Sequence, residues 1–214
     1  LLRSGPHSRC KFERSINDRH SVQADNGMFI QTEQTPNPAT LKFLPGQTVL
    51  AEGSIDIRDA EAAQCSPLAA RLFLIDEVTG VFFGNEFVTI TKTDDADWQM
   101  LKPVLLGVIM EHFVSGQPVM LDSADLGDGM TDDAVDGPDA EIIGQIKELI
   151  DTRVRPAVAQ DGGDIVYRGF QNGVVMVQLQ GACQGCPSST ATLKMGIENM
   201  LRHYIPEVVE VRAV

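Results

Sequence analysis

Residues 180–190 read QGACQGCPSST, and an apolar run at residues 174–179 leads directly into them. The stretch holds two thiols, Cys183 and Cys186, whose two-residue separation lets both sulfurs point at one spot. Thiolates are the side chains that bind soft metal ions. The glycines allow a tight turn, and Pro187 suits the first position of a helix. We therefore predict a strand, a thiol-bearing turn and a helix whose N-terminus lowers the pKa of both thiols.

A C-x-x-C motif by itself leaves three kinds of site open: a redox dithiol, half of a zinc site, or an inert turn. The chain has four cysteines, and Cys10 and Cys65 are distant from the pair in sequence. One chain therefore offers half of a four-thiolate site. We interpret Cys65 as a buried small apolar side chain rather than a ligand, because cysteines without a disulfide commonly pack in cores.

The composition describes a soluble globular chain with a net charge of −13, which argues against a nucleic-acid-binding surface. Residues 28–139 hold 19 acidic and 5 basic side chains and so carry nearly all the negative charge. The few cysteines favour a reducing compartment. The longest apolar run, residues 104–110, is far shorter than the ~20 residues of a membrane helix, so we predict no membrane span.

Four segments follow from the patterning of the chain. Residues 1–27 show no periodicity and are interpreted as a disordered leader or as a remnant of targeting or cloning. Residues 28–120 alternate strand and helix patterns and form the first domain. Residues 121–139 are rich in aspartate and glycine and have no basic side chain, so we predict a flexible acidic linker. Residues 140–214 form the second domain.

The first domain is predicted to be a mixed α/β unit. Its strands are expected at residues 29–32, 41–43, 81–83 and 87–91. Lys42 lies between two apolar residues and is expected to face solvent. Ser66-Pro67 has the chemistry of a helix start, and a second helix is expected behind the aspartates at residues 94–97, with Pro103 kinking it or marking its true start.

The second domain is predicted to follow the order α-β-β-(C-x-x-C)-α-β. An apolar stripe at residues 142–154 indicates a helix that Pro156 breaks or bends. The Asn172-Gly173 pair between the runs 165–170 and 174–179 is the strongest short indicator of a hairpin. A helix then follows Cys186, and a short strand closes the chain at residues 208–211. Both domains together give an α+β fold.

Other polar residues have structural explanations. His112 lies on an apolar helix face and His203 near a helix end, where packing or capping is the usual role. Asp161 and Asp164 flank two glycines, which favours turn and cap chemistry. No nucleophile–base arrangement and no phosphate-binding glycine loop is present in the sequence, so we expect no enzymatic activity.

Two pairs of motifs resemble a known protein family. The DGGD of residues 161–164 and the GACQGCPSST of residues 181–190 resemble the C-terminal domain of NifU, also found in Nfu-type iron–sulfur carriers. The FIQTEQTPNP of residues 29–38 and the LKFLPG of residues 41–46 resemble the N-terminal domain of Nfu proteins. The resemblance covers about residues 28–214, with the two domains in the family's order.

The resemblance implies a scaffold or carrier that binds a [4Fe–4S] cluster, in preference to [2Fe–2S], and passes it to apo-proteins. Cys183 and Cys186 are the positions to which the cluster-binding role transfers. The expected partners are apo iron–sulfur recipients and an upstream assembly scaffold. The alternative from the residues alone is a thioredoxin-like dithiol redox protein.

A cubane cluster takes four protein thiolates, and one chain supplies two from its C-x-x-C. Two chains that each donate Cys183 and Cys186 would complete the set on or near a two-fold axis, so we expect a homodimer upon cluster binding. The absence of a secretory signal and a fold that opens directly at Met28 favour the bacterial cytoplasm, with the mitochondrial matrix as the alternative.

Overall fold

The first unit is a five-stranded antiparallel sheet with two helices on one face. The computed structural model describes residues 29–121, 139–184 and 187–214. The strands are β1 (Gln31–Gln34), β2 (Thr40–Leu44), β3 (Ile55–Ile57), β4 (Val78–Phe83) and β5 (Val88–Lys92), and their spatial order is β1-β2-β5-β4-β3. Helices α1 (Pro67–Leu72) and α2 (Trp98–Ser115) share one apolar core with the inner side of this sheet.

Both predicted helix starts of the first unit are confirmed by their caps. The Ser66 hydroxyl accepts a hydrogen bond from the Ala69 N–H and precedes Pro67 at the first helical position. The Asp97 carboxylate accepts from the Gln99 N–H at the start of α2. Pro103 lies inside α2, so the helix begins before it.

The strand predictions for this unit were less accurate. The strand expected at residues 29–32 is found two residues later as β1, and β3 and the 3-10 turn Ala62–Cys65 were not predicted. The expectation that Lys42 faces solvent was wrong, because its side chain is only 8% exposed. Lys42 does lie on the outer face of the sheet, but the second unit covers that face.

The second unit packs a helical segment and one long helix against a three-stranded sheet. Its elements are α3 (Ala140–Leu149), a π-helical turn (Ile150–Val154), α4 (Arg155–Gln160), β6 (Gly163–Gln171), β7 (Val174–Gly181), α5 (Pro187–Tyr204) and β8 (Glu210–Ala213). β7 lies in the middle, antiparallel to β6 and parallel to β8. The predicted element order and the α+β class are confirmed.

Pro156 neither breaks nor ends the first helical segment. Proline has no N–H to continue the α-helical hydrogen-bond ladder, and the segment passes through a π-helical turn directly before it. The hairpin is confirmed: Asn172 and Gly173 both have positive φ, 51° and 79°, and Gln171 pairs with Val174.

The strands of this hairpin are longer than predicted. They reach Gly163 and Gly181, which pair with each other two residues before Cys183. The last strand was expected at residues 208–211 and is found two residues later. Among the described residues, no helix is both long enough and apolar enough to cross a membrane.

Three sequence-based predictions fall outside the part of the chain that the structure describes. They concern the leader at residues 1–27, nearly all of the linker at residues 121–139, and Cys186. The predicted domain limits stay a prediction.

Candidate metal centre

Cys183 lies in the short turn between β7 and α5. The turn is held to the DGGD loop by the Ala182 N–H, which donates to the Gly162 carbonyl at 3.2 Å, and closes on itself through the Gln184 N–H and the Gly181 carbonyl, also at 3.2 Å. Gly181 has a φ of 62°, which favours glycine. Cys183 is buried, with 6% of its surface exposed.

The absence of a side chain at Gly163 leaves the space that the Cys183 sulfur occupies. A Cβ atom built on Gly163 would lie 2.8 Å from Cys183 Sγ and 2.6 Å from the Gln180 carbonyl oxygen. Any side chain there would therefore push the thiol or the backbone of β7 away. The DGGD motif thus supplies a bare backbone surface under the first cysteine of the C-x-x-C.

The prediction of a lowered thiol pKa was wrong for Cys183. Burial raises the pKa of Cys183 to about 12, and the carboxylates of Asp161 and Asp164 add to the increase. The helix dipole does not dominate, because desolvation and two nearby negative charges both oppose the thiolate.

Asp164 forms an ion pair with Arg155 in addition to the turn role predicted for it. Its carboxylate accepts two hydrogen bonds from Arg155, Nε to Oδ1 at 2.9 Å and Nη2 to Oδ2 at 2.7 Å. Oδ1 also accepts the N–H of Ile165. The second carboxylate of the motif, Asp161, lies beside a small cavity at Cys183. The Arg155 partnership was not predicted, because the two residues belong to different elements.

The first unit contributes two residues to the surroundings of Cys183. Pro36 lines the cavity of about 30 Å³ together with Asp161, Ala182, Cys183 and Leu193. Asn37 Nδ2 donates to the Gln184 carbonyl at 3.2 Å, inside the C-x-x-C sequence. Both residues belong to the TPNP sequence at residues 35–38, whose position at the cysteine turn was not predicted from the sequence.

The remaining candidates lie elsewhere. Cys65 is half-buried at the edge of the first core, and its Sγ lies 2.8 Å from the Ala62 carbonyl oxygen. His112 is fully buried in α2, and neither ring nitrogen has a hydrogen-bond partner among the described residues. The ring of His203 packs edge-on against Tyr204. The packing role predicted for His112 agrees with its burial, whereas Cys65 is less buried than predicted and the role of the exposed His203 stays a prediction.

Within residues 29–121, 139–184 and 187–214, no three His, Cys, Asp or Glu side chains come together as a group that could hold a metal ion. The expectation that Cys183 and Cys186 together bind a cluster stays a prediction, because Cys186 lies outside the residues that the structure describes.

Comparison with known families identifies both units. The family described as scaffold protein Nfu/NifU N terminal matches residues 30–116, and the NifU-like domain family matches residues 146–212. Together the two matches cover well over half of the chain. The protein therefore belongs to the Nfu/NifU family, as the two pairs of sequence motifs indicated.

Individual relatives extend the comparison. The chain is 51% identical over 189 residues to NifU-like protein 5, mitochondrial, of Arabidopsis thaliana, and the alignment covers 87% of this chain and 68% of that protein. It is 49% identical over 182 residues to the human NFU1 iron-sulfur cluster scaffold homolog, mitochondrial, covering 85% and 70%. A solution structure of a NifU-like protein from Saccharomyces cerevisiae is 24% identical, covers 50% of this chain and 96% of its own, and has a TM-score of 0.44.

Proposed function

We propose that this protein is an iron–sulfur cluster scaffold in which two chains hold one cluster through the sulfurs of Cys183 and Cys186 and pass it to apo-proteins. The observation that carries the proposal is the position of Cys183, the first cysteine of the C-x-x-C, in a turn on the bare backbone surface of Gly163. A cluster takes four cysteine thiolates and one C-x-x-C supplies two, so a second chain would complete the set.

The names of the relatives support an iron–sulfur cluster as the group that the protein binds. The human relative is named an iron-sulfur cluster scaffold homolog, and 49% identity over 182 residues makes the same role the first expectation for this chain. Four cysteine thiolates suit both [2Fe–2S] and [4Fe–4S] clusters. We propose [4Fe–4S], which the family resemblance implies. The recipients are apo iron–sulfur proteins, the donor is an upstream scaffold, and the protein performs no catalysis of its own.

The dithiol redox alternative is separated from the cluster proposal by its readout. A redox dithiol attacks as a thiolate and cycles with thioredoxin reductase or glutathione while the protein is metal-free. We expect no such cycling here, and a brown colour after anaerobic reconstitution instead.

We also propose a mitochondrial location in place of the bacterial cytoplasm. The plant and human relatives, at 51% and 49% identity, are both named as mitochondrial. The bacterial expectation rested on how the chain opens, which carries less weight than these relatives. Fractionation of cells that express the tagged native protein tests the assignment.

The cluster proposal is tested by anaerobic reconstitution followed by iron counting, visible absorbance and Mössbauer spectroscopy. We expect a brown protein that activates an apo-aconitase. Cys183→Ala should lose the cluster, while Cys65→Ala serves as the matched control and should keep it. A Cys183→Ala variant with wild-type iron content would refute the proposal.

A further inference from the structure

The TPNP turn, residues 35–38, is anchored in the first unit and reaches the cysteine turn of the second. Trp98 Nε1 donates to the Pro38 carbonyl at 3.0 Å, and Asn37 Oδ1 accepts the N–H of Ala39 at 3.0 Å. The turn is thus fixed from behind by α2 and by its own backbone. Its front meets Gln184 and the cavity at Cys183, as described above.

The outer face of the first sheet continues this contact onto the DGGD loop. Thr89 Oγ1 donates to the Gly162 carbonyl at 2.7 Å, and Lys42 Nζ donates to the Gln160 carbonyl at 3.2 Å. Thr89 is 1% exposed, although it belongs to the face of β5 opposite the first core. Carbonyls at the end of a helix and in a loop have no helical N–H to bond with. Here the Thr89 hydroxyl and the Lys42 ammonium donate to two such carbonyls.

Two glycines of the second unit make this close approach possible. A Cβ on Gly162 would lie 2.9 Å from Thr89 Oγ1, and a Cβ on Gly181 would lie 2.9 Å from Phe82 Cγ. Side chains at these positions would separate the units as well as strain the positive φ of both residues. At the far end of the contact, Ser54 Oγ donates to Asp164 Oδ2 at 2.5 Å.

We call the surface formed by Pro36, Asn37, Lys42, Phe82 and Thr89 the docking face. Its partners are Gln160 and Gly162 at the DGGD loop and Gly181 and Gln184 at the cysteine turn. Three side chains of the docking face donate hydrogen bonds, and three backbone carbonyls of the second unit accept them.

The size of the cavity at Cys183 shows whether a cluster fits beside this cysteine while the two units are docked. A cavity of about 30 Å³ has room for no more than a few water molecules, so a cube of four irons and four sulfides does not fit in it. Ala182 and Leu193 belong to the second unit, where Leu193 packs on the core. Pro36 is the wall contributed by the first unit, so it can withdraw without disturbing the fold that holds Cys183.

We propose that the docking face is an intramolecular cap on the cysteine turn, so that docking within one chain and cluster bridging between two chains exclude each other. This inference rests on the proposed function. The metal-free chain is capped, and loading with a cluster displaces the first unit from both chains of the dimer.

The cap itself is tested in the metal-free full-length chain by amide hydrogen exchange. Asn37→Asp keeps the acceptor for the Ala39 N–H and removes the donor to Gln184, and Thr89→Val removes the hydroxyl at constant shape. Each should speed exchange in residues 161–164 and 181–184 about fivefold, the effect of one lost hydrogen bond on the opening equilibrium. Thr79→Val, on the exposed side of β4, is the matched control and should change nothing. Unchanged exchange in correctly folded Asn37→Asp and Thr89→Val proteins would refute the cap.

The competition is tested by sedimentation of the cluster-loaded chains. Both chains of a dimer have to undock, so a fivefold easier opening should lower the apparent dissociation constant of the loaded dimer about 25-fold, the square of the single-chain factor. A loaded dimer of Asn37→Asp or Thr89→Val that is weaker than wild type would mean that the first unit supports the cluster site, and would overturn the inference.

The two proposals fail in different ways. If no variant and no wild-type chain binds a cluster, the proposed function fails, and the hydrogen exchange of the metal-free chain still decides whether the cap exists. If clusters bind but the loaded dimer keeps the metal-free exchange protection in residues 161–164, the cap does not compete with the cluster, and the inference fails alone.

Discussion

Arg155 holds Asp164 through two parallel hydrogen bonds, one from Nε and one from Nη2. The Asp164 side chain is 8% exposed, and Asp164 directly follows Gly163, whose backbone lies against Cys183 Sγ. A guanidinium provides this paired geometry and an ammonium does not. The pair therefore fixes the loop on which the first cysteine rests.

Breaking this pair should destabilise the second unit. Arg155→Gln leaves a buried carboxylate without its cation and should lower the free energy of unfolding by about 3 kcal/mol, and Arg155→Lys by about half as much. Urea unfolding followed by circular dichroism measures the change. Arg202→Lys is the matched control, because Arg202 forms an exposed pair with Glu198 at 3.6 Å that contributes about 0.5 kcal/mol at most. Equal effects at positions 155 and 202 would contradict the assignment.

A methyl group at Gly163 should disturb the cysteine turn. Gly163→Ala places a carbon against Cys183 Sγ and the Gln180 carbonyl, and the overlap should cost about 1–3 kcal/mol of stability and reduce the iron content after reconstitution. Gly196→Ala is the matched control. Its Cβ meets nothing within 4 Å on α5, so it should stabilise the helix by up to about 1 kcal/mol and leave the iron content unchanged. Full iron content in Gly163→Ala would show that the bare surface is not needed.

The buried His112 should make the stability of the first unit depend on pH. Burial lowers the pKa of His112, and the nearby Arg71 lowers it further. The unfolded chain then binds a proton more readily than the folded one, so stability is complete above a pH of about 6.5 and falls as the pH drops below that value. Trp98, the single tryptophan, reports unfolding of this unit by fluorescence. His112→Leu should flatten the dependence between pH 7 and pH 5, and an unchanged slope would contradict the explanation.

The hydroxyl of Ser66 joins two parts of the first unit. It caps α1 by accepting from the Ala69 N–H and donates to the Val119 carbonyl at 2.5 Å. Ser66→Ala removes a cap and leaves a buried carbonyl without its donor, which should cost about 2 kcal/mol in urea unfolding followed by Trp98 fluorescence. Ser115→Ala removes a hydroxyl that donates to the His112 carbonyl from an exposed position and should cost well under 1 kcal/mol. A smaller loss at Ser66 than at Ser115 would contradict the buried bridge.

Local chemistry made much of the fold predictable from the sequence. Asn172-Gly173 indicated the hairpin because few other pairs adopt two positive φ values, and Ser66-Pro67 indicated a helix start through its cap. β3 was missed because it is three residues long, and one apolar-polar-apolar triplet is too short to indicate a strand.

The contacts between the units could not be predicted in the same way. Lys42 and Thr89 alternate with apolar residues and therefore have the pattern of a solvent-facing strand side, which a second unit can cover without changing the sequence pattern. The burial of Cys183 escaped prediction because its side chain packs in the core of its own unit, which the local motif does not show. The helix at Pro187 was visible in the sequence, whereas the pKa of Cys183 is raised by burial and then by two carboxylates from a loop about 20 residues earlier.

Sedimentation of the anaerobically reconstituted protein, with iron counted in the same sample, tests the central claim most directly. Sharing of one [4Fe–4S] cluster predicts that iron sediments with a dimer, at four irons for every two chains. Replacement of Cys183 and Cys186 by serine should then abolish both the bound iron and the dimer. Iron that sediments with a single chain, or that stays bound after both replacements, would contradict it.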